Sequence, residues 1–136
     1  MTQKIKAYVL DTWAIIAYLE DEPSAELVSE LISKAHERHC PIFMTVVNAG
    51  EVWYTVAREI SENEANTALK ALSELRIQLI NIDWELTQES ARFKSQHKLS
   101  YADCFAAALS KQLHAVLITG DKEFKALENH IQIHWV

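Results

Sequence analysis

Four acidic residues are the strongest candidates for chemistry in this chain. They are spread widely along it, at Asp11, Glu51, Asp103 and Asp121. Carboxylates that converge on one site repel one another, and a bound cation is the usual remedy. Because the donors are all oxygens, the expected cofactor is Mg²⁺ or Mn²⁺, as one or two ions. A cation held in this way polarises a phosphate oxygen and lowers the pKa of a bound water, so the favoured chemistry is phosphodiester hydrolysis.

Short apolar runs alternate with helical patterns and predict the elements that position these acids. The expected strands are KAYVL, IFMTV, QLINI, AVLIT and IQIHWV, at 6–10, 42–46, 78–82, 115–119 and 131–136. Helices are expected at 12–20, 25–37, 48–58, from 61 onwards, and at 83–96, 100–113 and 121–127. Strands separated by helices indicate an α/β fold. We predict a three-layer α/β/α sandwich with a central, mostly parallel sheet, formed by residues 1–136 as a single domain.

The four acids share one location in this arrangement. Asp11 directly follows the first expected strand, and Asp121 follows the strand at 115–119. Glu51 lies about one turn into the helix after the second strand, and Asp103 lies in the first turn of its helix. Binding sites in open parallel sheets gather outside the carboxyl ends of the strands. The sequence therefore predicts that the acids meet at that edge of the sheet.

Helix capping is the alternative role for each acid taken singly. Asp11 and Asp121 are well placed to be N-caps, which accept from free backbone N–H groups of the next turn. The spacings N-x-x-E at 48–51 and S-x-x-D at 100–103 match a capping box. Capping explains any one of these residues, but not the convergence of all four.

Composition narrows the function classes. The net charge of −6 does not favour a generic nucleic-acid binder, whose affinity depends on Lys and Arg. Only two Gly occur, and the glycine-rich motifs G-x-x-x-x-G-K and G-x-G-x-x-G are both absent. This argues against a nucleotide-binding loop of either kind. The apolar start is interrupted by Asp11, and no apolar run approaches the length of a membrane span, so we expect no signal peptide and no membrane segment. Two cysteines in this setting favour reduced thiols and a cytoplasmic protein.

Four sequence segments together resemble a known family. They are LDT at 10–12, NAGEVWY at 48–54, ADCFAAA at 102–108 and LITGDKEF at 117–124. In this order they resemble the PIN domain, specifically the VapC-type toxin ribonucleases, over nearly the whole chain. The resemblance implies a Mg²⁺- or Mn²⁺-dependent endoribonuclease that cleaves single-stranded RNA and leaves a 5′-phosphate and a 3′-hydroxyl. It also implies a homodimer, and an antitoxin partner that obstructs the site.

The resemblance assigns roles to residues by their match to the family motifs. Asp11, Glu51 and Asp103 match the metal-ligand acids, and Asp121 matches the fourth polar position. Three further residues match supporting positions: Thr12, Asn48 and Thr119. We find no arginine beside the acids in the sequence, so the group that binds the phosphate is left open.

Other readings compete with this one. A phospho-accepting signalling domain also groups acids at a sheet edge, and its acceptor would be Asp83, after the third strand. A non-catalytic PIN-like binding module would keep the fold alone. The segment HERHC at 36–40 has two His and one Cys, but no second ligand pair for zinc follows it. Trp13, Trp53 and Tyr54 are near the acids in sequence, where they could stack RNA bases, although packing is the simpler role.

Overall fold

A computed structural model describes residues 4–136 of the protein. Its five strands are β1 (Tyr8–Leu10), β2 (Ile42–Thr45), β3 (Ile77–Ile80), β4 (Val116–Thr119) and β5 (Gln132–Trp135). Its helices are α1 (Thr12–Leu19), α2 (Ala25–Glu37), α3 (Val46–Glu59), α4 (Glu62–Glu74), α5 (Trp84–Gln96) and α6 (Tyr101–Leu113). A short 3₁₀ helix spans Lys122–Leu127. Across residues 4–136 no helix is both long and apolar enough to cross a membrane.

The sheet is parallel throughout and has the order β3-β2-β1-β4-β5. The chain builds outward from β1 through β2 to β3, and then returns to the other side of β1 with β4 and β5. Strand order therefore reverses between β1 and β4. In open α/β sheets such a reversal opens a crevice at the carboxyl ends of the strands, where ligands bind.

Alternating side chains of the strands give the sheet two apolar faces. Leu10, Met44 and Ile118 pack with helices α1 to α4 on one face. Val9 and Leu117 pack with α5, α6 and the 3₁₀ helix on the other face. This architecture confirms the predicted three-layer α/β/α sandwich with its parallel sheet.

All of the predicted strands and helices are present, but two of them begin earlier than predicted. Helix α3 begins at Val46 and not at Asn48, because the hydroxyl of Thr45 caps it by accepting from the Asn48 N–H at 3.0 Å. Strand β3 covers Ile77–Ile80 and not 78–82, because it pairs residue for residue with Ile42–Thr45 of β2. The other strands are shorter at their ends than predicted.

Candidate active site

Asp11 lies at the tip of β1 and begins α1. Its Oδ1 accepts from the Ala14 N–H at 2.8 Å, and its Oδ2 accepts from the Thr119 hydroxyl. The residue is only 1% exposed. Burial raises the pKa of this carboxyl to about 7, against the two hydrogen bonds, and the charges of Asp103 and Asp121 raise it further. Asp11 is therefore an N-cap, as predicted, but an N-cap whose anion is unfavourable without a nearby cation.

Thr119 joins the tips of β1 and β4. It is fully buried, donates to Asp11 and accepts from the Asp121 N–H at 3.0 Å. Asp121 in turn caps the 3₁₀ helix, with its Oδ1 accepting from the Glu123 N–H at 3.0 Å. One hydroxyl therefore fixes two of the predicted acids relative to each other across the point where strand order reverses.

Asn48 is a buried connection between helices α3 and α6. Its side-chain amide donates to the Ala102 carbonyl at 3.1 Å, and its Oδ1 accepts from the Thr45 hydroxyl. The Thr12 hydroxyl donates to the Asn48 carbonyl at 3.2 Å. Asn48 is not the N-cap that its spacing to Glu51 suggested, because Thr45 takes that place. Its contact with Ala102 instead fixes the residue next to Asp103.

Asp103 and Glu51 face each other from these two helices. The Ser100 hydroxyl caps α6 by accepting from the Asp103 N–H at 3.1 Å. Burial raises the pKa of Asp103 to about 6, and the charges of Asp121, Glu51 and Glu123 raise it further. Glu51 is half-buried on α3, where its Oε2 accepts from the Tyr54 hydroxyl at 3.2 Å.

A concave pocket of about 350 Å³ collects the exposed members of this group. Its walls come from α1, α3, α6 and the tip of β4, through Thr12, Trp13, Ile16, Glu51, Thr55, Ser100, Asp103 and Asp121. Asp11, Asn48 and Thr119 are themselves buried and support these walls by the bonds described above. The structure thus brings the predicted acids and supporting residues to one edge of the sheet.

Glu123 is a site residue that the sequence reasoning missed. Carboxylate oxygens of Asp103, Asp121 and Glu123 lie within 4.8 Å of one another, and no other such group of three occurs in residues 4–136. Asp11 and Glu51 are outside this closest group. The spacing D-x-E at 121–123 was the available signal, because Asp121 caps the turn that carries Glu123.

Gly120 allows an aromatic wall to approach the strand tip closely. A Cβ added to Gly120 would lie 2.2–2.7 Å from three ring carbons of Trp13, so any larger residue there requires the Trp13 ring to shift. Trp13 therefore packs against the backbone between Thr119 and Asp121.

Among residues 4–136, no Lys, Arg or His side chain forms an ion pair with these acids. Within the described residues the ion pairs are those of Glu89 with Arg92 and with Lys111, on α5 and α6. A cluster of oxygen donors without a basic partner matches the ligand preference of Mg²⁺ and Mn²⁺. The residues present therefore fit a hard divalent cation.

The competing candidates lie outside the pocket. Asp83 caps α5 by accepting from the Leu86 N–H at 2.8 Å. His36 is hydrogen-bonded to the Leu75 carbonyl at 2.6 Å, while the Cys40 thiol donates to the Ile5 carbonyl. Trp53 donates to Asn66 of α4 at 2.9 Å. These side chains have structural partners of their own.

Comparison with known proteins agrees with this geometry. A model of the PIN domain family matches residues 8–129, which include all four predicted acids. VapBC2 of Rickettsia felis, bound to promoter DNA, superposes with a TM-score of 0.73 at 20% identity over 96% of this chain and 98% of its own. A toxin–antitoxin complex from Klebsiella pneumoniae superposes with a TM-score of 0.66 at 18% identity, over 96% of this chain and 100% of its own. VapC20 of Mycobacterium tuberculosis is a toxin that cleaves the sarcin–ricin loop. It superposes with a TM-score of 0.71 at 14% identity, over 88% of this chain and 94% of its own. Comparison with curated proteins gave no match.

Proposed function

The chain belongs to the PIN domain family, and we propose that it is a Mg²⁺- or Mn²⁺-dependent endoribonuclease of the VapC toxin type. Its substrate is single-stranded RNA. One observation carries the proposal: the carboxylates of Asp103, Asp121 and Glu123 converge at the edge of the sheet beside buried Asp11, without a basic partner in residues 4–136.

The cofactor supplies the electrophilic part of the chemistry. When bound, one or two ions held by these carboxylates would polarise a phosphate oxygen and lower the pKa of a bound water. Glu51, Asp103 and Asp121 line the pocket, and a Glu123 carboxylate oxygen lies within 4.8 Å of those of Asp103 and Asp121. These four carboxylates would hold the ion. Asp11 would complete the set from below, since each of its oxygens has a lone pair beyond its one hydrogen bond.

The buried residues keep the acids in place for this role. Thr119 holds Asp11 and the backbone of Asp121, and Asn48 holds the backbone beside Asp103. Asp11 and Asp103 have raised pKa values. They therefore give up protons when a cation arrives, and cation affinity increases with pH. By analogy with the family, cleavage leaves a 5′-phosphate and a 3′-hydroxyl.

The proposal extends to partners and location. Relatives of similar fold include a toxin–antitoxin complex. We infer by analogy that an antitoxin binds this chain, that the working unit is a homodimer and that the protein acts in the cytoplasm.

Cleavage of a mixed RNA pool tests the function. Wild type and Asp103→Asn are compared with Mg²⁺, with Mn²⁺ and with EDTA, after thermal melting shows that both are folded. We expect cleavage that needs metal and is lost in the variant. Equal cleavage by both proteins, or none by folded wild type, would contradict the proposal.

The phospho-acceptor alternative has its own test. Incubation with acetyl phosphate followed by mass measurement would show a phosphoryl group on Asp83 if that reading were correct. We expect no modification, because the Asp83 carboxylate caps α5 and lies outside the acidic pocket.

A further inference from the structure

One exposed face of α3 continues away from the acidic pocket. Glu51, Tyr54, Thr55 and Arg58 are spaced at i, i+3, i+4 and i+7, so they share this face. Glu51 and Thr55 line the pocket itself. The Tyr54 hydroxyl donates to Glu51 at 3.2 Å, and the guanidinium carbon of Arg58 lies 5.3 Å from the centre of the Tyr54 ring. These two contacts connect the candidate metal site, through Tyr54, to Arg58.

The Arg58 guanidinium has no carboxylate partner among residues 4–136. Glu59 and Glu62 are close to it in sequence, yet Arg58 forms no ion pair with any residue from 4 to 136. It is exposed and stacks on Tyr54 instead. A guanidinium group in this state is well suited to a phosphate, which it binds through two parallel hydrogen bonds.

The acidic pocket makes such a group necessary. RNA phosphates are repelled by the carboxylates that surround the cleavage site, and single-strand binders commonly combine basic groups with aromatic stacking surfaces. Tyr54 is 46% exposed although Arg58 stacks on it, so its ring is available to an unpaired base. The backbone of Arg58 lies about 10 Å along the helix axis from that of Glu51, which favours the phosphate of a neighbouring nucleotide over the one at the metal.

We propose that this face, the α3 track (Glu51, Tyr54, Thr55 and Arg58), binds the RNA strand next to the cleaved bond. Arg58 binds the phosphate of a neighbouring nucleotide, and Tyr54 stacks against its base. The α3 track thus supplies the phosphate-binding arginine that the sequence did not reveal. This inference rests on the proposed ribonuclease function and assigns the residues that position its substrate.

RNA binding and salt dependence test the α3 track. Labelled single-stranded RNA of mixed sequence is titrated, with Mg²⁺, into the cleavage-deficient Asp103→Asn protein with and without Arg58→Ala. We expect Arg58→Ala to raise the dissociation constant by about threefold to tenfold. The slope of log affinity against log salt should fall in magnitude by about 0.7, the value for one lost contact to a single strand. Arg58→Lys should restore most of that slope.

Arg38→Ala is the matched control. It removes the same charge at the opposite edge of the sheet, where Arg38 ends α2. In the wild-type background, Arg58→Ala and Tyr54→Ala should raise KM with little change in kcat. Tyr54→Phe should raise KM less than Tyr54→Ala does, because the ring remains although its hydrogen bond to Glu51 is lost.

Two results separate the possible failures. If Arg58→Ala and Arg38→Ala bind RNA with the same affinity and salt slope, the α3 track is wrong while the ribonuclease function stands. That result would also be expected if Arg58 served an acidic protein partner. Failure of folded wild type to cleave RNA would overturn the proposed function, and with it the position of the α3 track next to a cleaved bond. Weaker RNA binding only in Arg58→Ala would then still show that these residues bind RNA.

Discussion

At both edges of the sheet the chain must turn between a helix and a strand, but the residues that make these turns differ between the two edges. At the amino edge the chain enters β2, β3 and β4 through His39, Arg76 and His114, which all have left-handed backbones with φ of 51–57°. Glycine is the usual residue at such left-handed positions, so the backbones of these three residues are strained. The strained turns serve only to reverse the direction of the chain. At the carboxyl edge the chain leaves the strands through Asp11, Thr45 and Asp121, whose side chains cap the next helix.

The larger cavity is at the amino edge, not at the acids. It has a volume of about 740 Å³ and is lined by Lys4, Ile5, Lys6, Tyr8, Arg38, His39 and Cys40. The acidic pocket is only about 350 Å³. The carboxyl edge is distinguished by its buried polar side chains, which are those of Asp11, Thr45, Asn48 and Thr119. Their convergence, and not cavity size, is the feature on which we base the proposed active site.

The largest expected effect is that of Asp11→Asn. The amide keeps the cap on α1 but removes the buried charge, so cleavage should fall by about 100-fold or more. Unfolding free energy at neutral pH should stay the same or increase, because the desolvation cost of the anion disappears. RNA cleavage and urea unfolding measure the two effects. Asp83→Asn, at a helix cap outside the pocket, is the control and should keep full activity; equal loss in both variants would mean that the edge is only structural.

The pH dependence of stability isolates the same carboxyl. Folded Asp11 keeps its proton up to about pH 7, whereas an unfolded Asp loses it near pH 4. Between these values the folded state binds more protons, so the Asp11 contribution to the unfolding free energy decreases as pH increases. We expect this contribution, the difference between wild type and Asp11→Asn, to fall by on the order of 2–4 kcal/mol between about pH 4 and pH 8 without metal. Identical pH profiles for the two proteins would contradict the assigned burial cost.

Gly120→Ala tests the close contact at the tip of β4. The new Cβ would overlap the Trp13 ring, and overpacking of this kind costs about 1–3 kcal/mol. If the contact is the cause, the cost should largely disappear in a Trp13→Ala background, as thermal unfolding of a double-mutant cycle would reveal. Additive effects of the two substitutions would show that Trp13 does not restrict Gly120.

The smallest effect is expected at the amino edge. His114→Gly relieves a left-handed backbone at the end of α6 and should stabilise the protein by about 0.5–1 kcal/mol. Cleavage should not change, because the residue lies away from the acids. A loss of activity without a loss of stability would break the functional contrast between the two edges.

Local patterns predicted much of the site. Three of the expected caps are present, at Asp11, Ser100 and Asp121, because capping depends on residues only two or three apart. Strand-helix alternation was sufficient to place the acids at one edge, because parallel strands direct their carboxyl ends the same way.

Features that depend on packing between distant elements were not predictable. Asn48 bonds to Ala102, 54 positions away, and Trp13 meets Gly120 only after α1 docks on β4. Arg58 was overlooked because its link to the acids passes through Tyr54 on the helix surface. Glu123 was not predicted although its signal was local, because neighbouring exposed acids such as D-x-E are common without a bound ion.

Calorimetric titration with Mn²⁺ tests the central claim most directly, that this carboxyl edge exists to bind a divalent cation. The metal-free wild type and Asp103→Asn are titrated above about pH 7, where Asp11 and Asp103 release their protons readily. We predict saturable binding by wild type and an affinity at least about tenfold lower in the variant. Folded wild type that binds no Mn²⁺, or a variant that binds it equally well, would contradict the account.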